Sequence, residues 1–169
     1  MKFKEGKEHF IQTWGALGSQ WGINKTIAQI HALLLVSNEP LSTEDIMEQL
    51  AISRGNTNMN IRELIDIGLV DKVFKLGERR DYFVAEKDVW KVARQVAKTR
   101  KKRELDPIIR LLEQIENLDV AKDDEEGKRF IKLVHDVKKL ALNVEKLVDV
   151  LIKSEENWFW DKIFKLMSK

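Results

Sequence analysis

The first part of the chain carries large apolar side chains at spacings of seven, four and three residues, the pattern of one stripe along an amphipathic helix. The members of the stripe are Phe3, Phe10, Trp14, Leu17 and Trp21. Such a stripe must be buried against something. Gly22 can end this helix in the left-handed conformation and Asn24 can cap the next one, so a second helix is predicted from Lys25 to about Val36.

Residues 40–85 have the pattern of two short helices followed by a hairpin. Ser42 and Ser53 suit N-cap positions, and apolar residues follow each of them at helical spacing. Two capped helices with only a few residues between them must cross at a steep angle. Gly68 is expected to end the second helix, and strand-forming residues then flank a glycine-containing turn at residues 76–81. This pattern predicts a winged helix-turn-helix with a small β-hairpin as its wing.

The predicted helix from Ser53 to Ile67 is expected to have two different sides. Its inner side carries Thr57, Ile61, Leu64 and Ile65. Its outer side is polar and consists of Gly55, Asn56, Met59, Asn60 and Glu63, flanked by Arg62. Asparagine can make paired hydrogen bonds to adenine in the major groove, and arginines at the wing tip can enter the minor groove or pair with phosphate. The predicted DNA contacts are Ser53, Arg54, Gly55, Asn56, Thr57, Met59, Asn60, Arg62, Arg79 and Arg80.

After Asp88 the chain is predicted to be helical again, with a kink or restart at Asp106 and Pro107 and a solvated acidic loop at residues 123–127. A seven-residue repeat then follows, with valine frequent at one position and leucine dominant at the other, which favours pairing of two helices. The repeat consists of Phe130, Leu133, Val137, Leu140, Val144, Leu147 and Leu151. A last helix, from Glu155 to Met167, carries further aromatic residues for burial.

These patterns predict a mainly α protein in three parts. An N-terminal dimerisation helix occupies residues 1–23, and a winged helix-turn-helix DNA-binding domain occupies residues 24–87. A C-terminal helical region for dimerisation and regulation occupies residues 88–169. Double-stranded DNA and a second copy of the chain are therefore the expected partners.

The charge distribution agrees with a local nucleic-acid surface. The formal net charge is only +2, which excludes a general excess of base. Between Arg54 and Glu104, however, there are 14 Lys/Arg against 8 Asp/Glu. Binding by such a patch should be sensitive to salt, because it neutralises phosphates. The basic run at residues 98–103 is consistent with a solvated helix face and equally with direct phosphate contact.

Composition and spacing argue against several other functions. The chain has no cysteine, which excludes disulfides and thiolate metal sites and suits a reducing cytoplasm. The charged N-terminus predicts no export signal, and the longest apolar run, residues 32–36, is too short to cross a bilayer. His9, His31 and His135 are isolated, so no metal site is expected. No catalytic arrangement and no phosphate-binding glycine loop are visible, so we expect neither an enzyme nor a cofactor.

The tryptophans allow two interpretations. Aromatic faces can enclose a quaternary ammonium ion, and Trp14, Trp21 and Trp90 are the candidate ligand-binding residues for such a cage. Tryptophans on amphipathic helices are, however, more often part of a core or an interface. Spacing alone does not bring the three side chains together.

Several motifs of the first 105 residues together resemble the GbsR branch of the MarR-type transcriptional regulators. They are Trp21-Gly22-Ile23, Thr26-Ile27-Ala28, Leu33-Leu34-Leu35, Pro40-Leu41-Ser42, Ile52-Ser53-Arg54-Gly55-Asn56, Ile61-Arg62-Glu63-Leu64, Gly68-Leu69-Val70 and Gly77-Glu78-Arg79-Arg80-Asp81-Tyr82-Phe83. The resemblance implies a homodimeric winged-helix repressor whose recognition helix enters the major groove and whose wing contacts the minor groove. Members of this branch regulate osmoprotectant uptake and synthesis, some in response to choline, so the resemblance also implies a small effector of that kind.

Two alternatives remain open at this stage. The winged helix can be a scaffold within a protein-interaction module whose helical tail recruits another protein. The aromatic, lysine-containing last helix can also lie on a membrane surface, although we expect no membrane partner.

Overall fold

The computed structural model of the protein describes residues 1–119, 121 and 124–167. The chain divides into two units, Met1–Val92 and Ala93–Lys169. The elements are α1 (Phe3–Gln20), α2 (Lys25–Val36), β1 (Leu41–Ser42), α3 (Thr43–Leu50), α4 (Arg54–Ile67), β2 (Val70–Val73), β3 (Tyr82–Ala85), α5 (Val89–Arg100), a π-helical segment (Lys101–Leu105), α6 (Asp106–Glu116), α7 (Glu125–Lys153) and α8 (Glu156–Met167).

α1 packs against α2 through its buried residues Ile11, Gly15 and Gly18, while four of the five residues of the predicted stripe are exposed. A methyl group added at Gly18 would lie 2.6 Å from the Cβ of Ala28, so the close approach of the two helices requires glycine there. The predicted stripe lies on another side, where Phe3 is 80% and Trp21 62% exposed. Trp14 is half-buried, but the rest of the stripe is not buried within the part of the chain that the structure describes.

The core of the first unit forms around α2. Ile30 and Leu34 of α2 are almost fully buried, together with Ile46 of α3, Leu64 of α4 and Val70 of β2. These residues lie on the apolar faces that the sequence pattern assigns to the helix-turn-helix and to the first wing strand. Their burial holds α3 and α4 at a fixed angle above α2.

The sheet has three antiparallel strands in the order β1-β3-β2. β2 and β3 form the predicted hairpin, with Val70 opposite Ala85 and Val73 opposite Tyr82. β1 is absent from the prediction because two residues are too few to show an alternating pattern. A helix-turn-helix followed by this hairpin is the winged helix-turn-helix fold, so the predicted fold class is confirmed.

Two positions of α4 differ from the prediction. Asn60 is expected on the outer side but is only 1% exposed. It precedes Leu64 by four residues, and residues at that spacing share one side of a helix. Ile65 is expected on the inner side but is 36% exposed. It lies one position beyond Leu64, which turns it away from the core.

The chain stays helical at Asp106 and Pro107, where the sequence predicts a kink or restart. A π-helical segment, Lys101–Leu105, immediately precedes these two residues. Asp106 has helical angles (φ −59°, ψ −40°) and is not the N-cap. A proline ring removes one backbone N–H and would clash with the carbonyl four residues earlier, here that of Arg103. The wider turn immediately before Pro107 accommodates this ring.

The second unit is built on α6 and α7, which form an antiparallel hairpin. Its core contains Ile109, Leu112, Val134 and Ala141. The direction of the pair is visible in its ion pairs, since Glu116 at the end of α6 lies 2.6 Å from Lys138 Nζ, and Lys101 before α6 lies 2.9 Å from Glu145. Each distance joins the ammonium nitrogen of the lysine to a carboxylate oxygen of the glutamate.

The acidic segment before α7 is only partly a loop. The Asp124 carboxylate caps α7 by accepting a hydrogen bond from the N–H of Gly127 at 2.8 Å. Glu125 and Glu126 already form the first helical turn, where the helix dipole favours negative charge. Asp123 of the predicted loop lies outside the described residues.

The seven-residue repeat of α7 does not face α6. Six of its members, from Val144 at 41% to Leu147 at 70%, are exposed, and Leu151 is half-buried. α6 carries exposed Ile108 and Leu111. Each residue of an α-helix is rotated by about 100° from the one before it. With this rotation, and with α6 and α7 antiparallel, the exposed residues of α6 and the repeat of α7 lie on the same side of the hairpin.

Candidate nucleic-acid interface

Local caps set the direction in which α4 projects. Ser42 and Asp45 cap α3 reciprocally, since the Ser42 N–H donates to the Asp45 carboxylate at 2.8 Å and the Asp45 N–H donates to the Ser42 hydroxyl at 3.2 Å. Ala51 then takes the left-handed conformation with φ 52° and reverses the chain. The Ser53 hydroxyl accepts a hydrogen bond from the Asn56 N–H at 3.3 Å and starts α4.

The first turns of α4 present most of the predicted contact residues. Ser53, Arg54 and Gly55 are exposed, and Asn56 is half-buried. Further along the same side, Arg62 is exposed, and so is Met59 at 60%.

Two predicted contact residues are buried instead. Thr57 is fully buried, and its hydroxyl donates to the carbonyl of Ser53 at 3.0 Å. Asn60 is also buried and donates from Nδ2 to the backbone oxygen of Asn56. The assignment of Thr57 and Asn60 as direct DNA contacts is therefore corrected, because neither side chain reaches the surface of α4.

An ion pair joins α3 and α4 at the candidate interface. Arg54 Nη2 lies 2.7 Å from Glu44 Oε1. The hydrogen bond from Arg54 holds the pKa of the Glu44 carboxyl below its usual range, and the positive charges of Arg54 and Arg80 add to this effect. The Glu44 carboxylate is thus bound to the start of α4. Glu44 is missing from the predicted site because its pairing joins two helices ten positions apart, at no regular spacing.

The wing is held by contacts along its two strands, and its tip is exposed. Lys72 Nζ lies 2.8 Å from the Asp81 carboxylate, and Lys75 Nζ lies 4.1 Å from the centre of the Tyr82 ring. The predicted tip residues Arg79 and Arg80 are both exposed. The wing therefore presents two guanidinium groups on a hairpin braced by pairs between its strands.

The residue after the wing ties the hairpin to α2. Lys87 Nζ donates to the carbonyl oxygens of Leu34 and Leu35 at 2.7 Å and to that of Ser37 at 2.8 Å. These carbonyls lie at the C-terminus of α2, where a positive charge is favoured. Burial and the positive charge of Lys87 lower the pKa of His31, on the same helix, to about 4, so His31 is neutral near pH 7.

The basic run at residues 98–103 covers the end of α5 and the π-helical segment, and it is partly engaged inside the second unit. Lys101 Nζ lies 2.9 Å from Glu145 and 3.1 Å from Asp149, and these hydrogen bonds raise its pKa to about 12. Arg100 lies 3.3 Å from Glu104. Lys101 is therefore bound to carboxylates of α7 and is not a phosphate contact in this arrangement.

The three tryptophans of the predicted ligand cage lie on different elements. Trp14 is half-buried on α1, stacked on Phe10 with ring centres 5.4 Å apart and 6.3 Å from the ring of His31. Trp21 is the C-cap residue of α1, and Trp90 lies at the start of α5. The cage remains a prediction.

Two structural features are absent from residues 1–119, 121 and 124–167. In that part of the chain no group of His, Asp and Glu side chains could hold a metal ion. None of the helices there is both long and apolar enough to cross a membrane.

No protein-family model matches the chain. Curated proteins of Bacillus subtilis (strain 168) are similar to it over part of their length. OpcR, an HTH-type transcriptional repressor, is 23% identical over 87 residues, which are 52% of this chain and 47% of OpcR. GbsR, also an HTH-type transcriptional repressor, is 28% identical over 71 residues, 42% of this chain and 39% of GbsR. YvaV, inferred to be an HTH-type transcriptional regulator, is 22% identical over 87 residues, 52% of this chain and 49% of YvaV.

The chain thus spans half or less of the length of the curated relatives it matches. A crystal structure of a transcriptional regulator is similar to this fold with a TM-score of 0.63 and 21% identity, covering 86% of this chain and 95% of the other. The chain is related to HTH-type transcriptional regulators, at a similarity that does not single out one branch.

Proposed function

We propose that the protein is a cytoplasmic, sequence-specific DNA-binding transcriptional regulator that acts as a homodimeric repressor. One observation carries this proposal: Arg54 is exposed at the start of α4, and Arg79 and Arg80 are exposed at the tip of the hairpin that follows this helix. A helix N-terminus entering the major groove, next to a basic hairpin on the phosphates, is how winged helices bind DNA. The named repressors among the relatives support the direction of regulation.

In this proposal the contacts have different tasks. Arg54 and Asn56 meet base edges, because the first residues of a recognition helix lie deepest in the groove. Gly55 lets the backbone approach the DNA, while Ser53, Met59 and Arg62 lie along the groove wall. Arg79 and Arg80 contact phosphate or the minor groove.

Binding of selected genomic fragments, followed by fluorescence anisotropy, tests the DNA proposal. Arg54→Ala and Asn56→Ala should each weaken binding to the selected site by about 1–3 kcal/mol. Arg110→Ala, at an exposed arginine of α6, is the matched control and should leave affinity unchanged. Binding that never exceeds a non-specific, salt-labile level would instead favour the alternative in which the winged helix is a scaffold.

The exposed apolar side of the α6–α7 hairpin supports the homodimer. It joins the repeat of α7 to two exposed residues of α6, Ile108 and Leu111, and contiguous apolar patches of this kind mark interaction sites. The alternation of valine and leucine at the repeat positions favours two helices. The exposed stripe of α1 is a second surface for the partner. A two-fold dimer would place its recognition helices about 34–36 Å apart, on half-sites of an imperfect palindrome.

Sedimentation velocity tests the dimer. Leu140→Glu and Leu147→Glu place a charge where the side chains are 64% and 70% exposed, so the isolated chain tolerates them and the dimer should dissociate. Lys139→Glu, on the same helix but off the apolar side, should remain dimeric. A monomeric wild type, or dimeric leucine variants, would contradict this part of the proposal.

The proposal also places the protein in the GbsR-like branch, with a small effector such as choline. Its support is the resemblance of the sequence motifs and the partial match to GbsR. Titration of tryptophan fluorescence with choline and with betaine checks it. A flat response to both would remove these two compounds as effectors.

A further inference from the structure

Asn56 and Asn60 form a pair at the edge of the exposed side of α4. Asn60 is 1% exposed. Its Nδ2 lies 2.6 Å from the backbone oxygen of Asn56 and 2.6 Å from Asn56 Oδ1. The sequence pattern alone suggests two equivalent asparagines that both read bases, and the structure assigns them different positions.

The chemistry of this pair fixes the orientation of both amides. A backbone carbonyl oxygen can only accept hydrogen bonds, so the Asn60 atom beside it has to be the NH2 group. The same NH2 group also faces the side chain of Asn56, and an NH2 group can be satisfied there only by an acceptor. Asn56 must therefore turn Oδ1 towards Asn60.

The consequence concerns the other half of the Asn56 amide. Its Nδ2 points away from Asn60, and none of the residues that the structure describes accepts a hydrogen bond from it. Asn56 therefore offers donors at the edge of α4, while its acceptor Oδ1 is turned towards buried Asn60, so that the two ends of the amide cannot face one base edge together. A free asparagine would offer one donor and one acceptor, the combination that pairs with adenine N7 and N6.

We propose that Asn60 is a positioning residue that makes Asn56 a donor-only reader, so that Asn56 selects guanine over adenine at the base pair it meets. Guanine presents two acceptors, N7 and O6, in the major groove, whereas adenine presents N7 beside a donating amino group. This inference rests on the proposed DNA-binding function. It replaces the asparagine–adenine contact that the sequence pattern suggests.

The first experiment uses the wild-type protein and a variant of Asn56. Duplexes are selected from a random library by the wild type and by Asn56→Ala, and the position whose preference disappears in Asn56→Ala is the one that Asn56 reads. The wild type should favour guanine there. Replacing that guanine by 7-deazaguanine should weaken binding on the order of tenfold, because one acceptor is removed. This measurement needs no change in Asn60.

The second experiment reverses the orientation. In Asn60→Asp the carboxylate only accepts, so the hydrogen bond to the backbone oxygen of Asn56 is lost at a cost in stability, but the carboxylate should draw the Asn56 NH2 group inward, turn Oδ1 outward and shift the preference towards adenine. Asn60→Ala should free Asn56 and reduce the discrimination between guanine and adenine. Thermal unfolding of each variant shows whether it is folded.

The outcomes separate this inference from the proposed function. A wild-type preference for adenine, no effect of 7-deazaguanine, or folded Asn60 variants with the wild-type base preference would overturn the inference and leave DNA binding intact. An unchanged base profile in Asn56→Ala would also overturn it. If the wild type enriches no sequence at all, the proposed function fails and the inference fails with it.

Discussion

Replacing Gly55 by alanine should change folding and DNA binding in opposite directions. Gly55 lies in the first turn of α4, and a Cβ added there would meet nothing within 4 Å. The methyl group therefore costs nothing in packing. Alanine loses less conformational freedom than glycine when the helix forms, so Gly55→Ala should stabilise the fold by about 0.4–1 kcal/mol. For a chain of this length that corresponds to a rise in Tm of about 1–4 °C.

The same methyl group should hinder DNA. If the first turn of α4 lies in the major groove, the open space beside Gly55 is filled by the nucleic acid, and a methyl group there overpacks the interface. Overpacking of a close-fitting contact typically costs about 1–3 kcal/mol, which is a loss in affinity of about five- to 150-fold. Two measurements follow, differential scanning calorimetry for Tm and fluorescence anisotropy for affinity to a selected duplex.

The control is Gly6→Ala in α1, another helical glycine. A Cβ at Gly6 would have its nearest contact at 3.6 Å, with the sulfur of Met1, which is an ordinary distance. Gly6→Ala should therefore raise Tm without changing affinity for DNA. A Gly55→Ala protein that is more stable and binds the selected duplex as tightly as wild type would refute the placement of α4 against DNA.

Three further predictions concern the wing and its support. Arg79→Ala with Arg80→Ala should reduce the salt dependence of binding by about 0.9 for each phosphate that the wing no longer neutralises, measured by anisotropy over a salt series, and an unaltered slope would remove the wing from the interface. The fold keeps His31 neutral down to about pH 4 while the unfolded imidazole takes up a proton below about pH 6.5, so stability should fall as the pH drops through this window. His31 should account for a loss of ~2 kcal/mol in the free energy of unfolding between about pH 7.5 and 5. Urea unfolding over this pH range should show a correspondingly smaller loss for His31→Leu, and an equal pH dependence in both proteins would contradict the assignment. Lys87→Met should lower Tm, because three carbonyls at the end of α2 lose their donor, and should leave the base preference unchanged in selection.

Features that depend on neighbouring residues could be predicted from the sequence. Ser42 and Ser53 cap their helices, and Gly68 ends α4 in the left-handed conformation with φ 79°, as expected. Each of these depends on backbone groups within four positions, so the local sequence contains the necessary information. The hairpin at residues 70–85 follows from alternating strand residues around a glycine turn in the same way.

Features that depend on how elements pack could not be predicted. The pairing of Arg54 with Glu44 joins two helices whose crossing angle is set by the core of α2. The burial of Asn60 depends on which edge of α4 faces that core, and a polar residue at the boundary gives no signal of its own. The exposed stripe of α1 shows the same limit, because an apolar pattern predicts burial but does not name the surface that provides it.

The central claim is that two copies of the first turn of α4 read the halves of one DNA site. Hydroxyl-radical footprinting of the wild-type protein on its selected duplex tests it most directly. We expect two protected half-sites about 10–10.5 base pairs apart, related by an imperfect two-fold axis. Uniform protection that disappears with salt and shows no preferred sequence would contradict the claim.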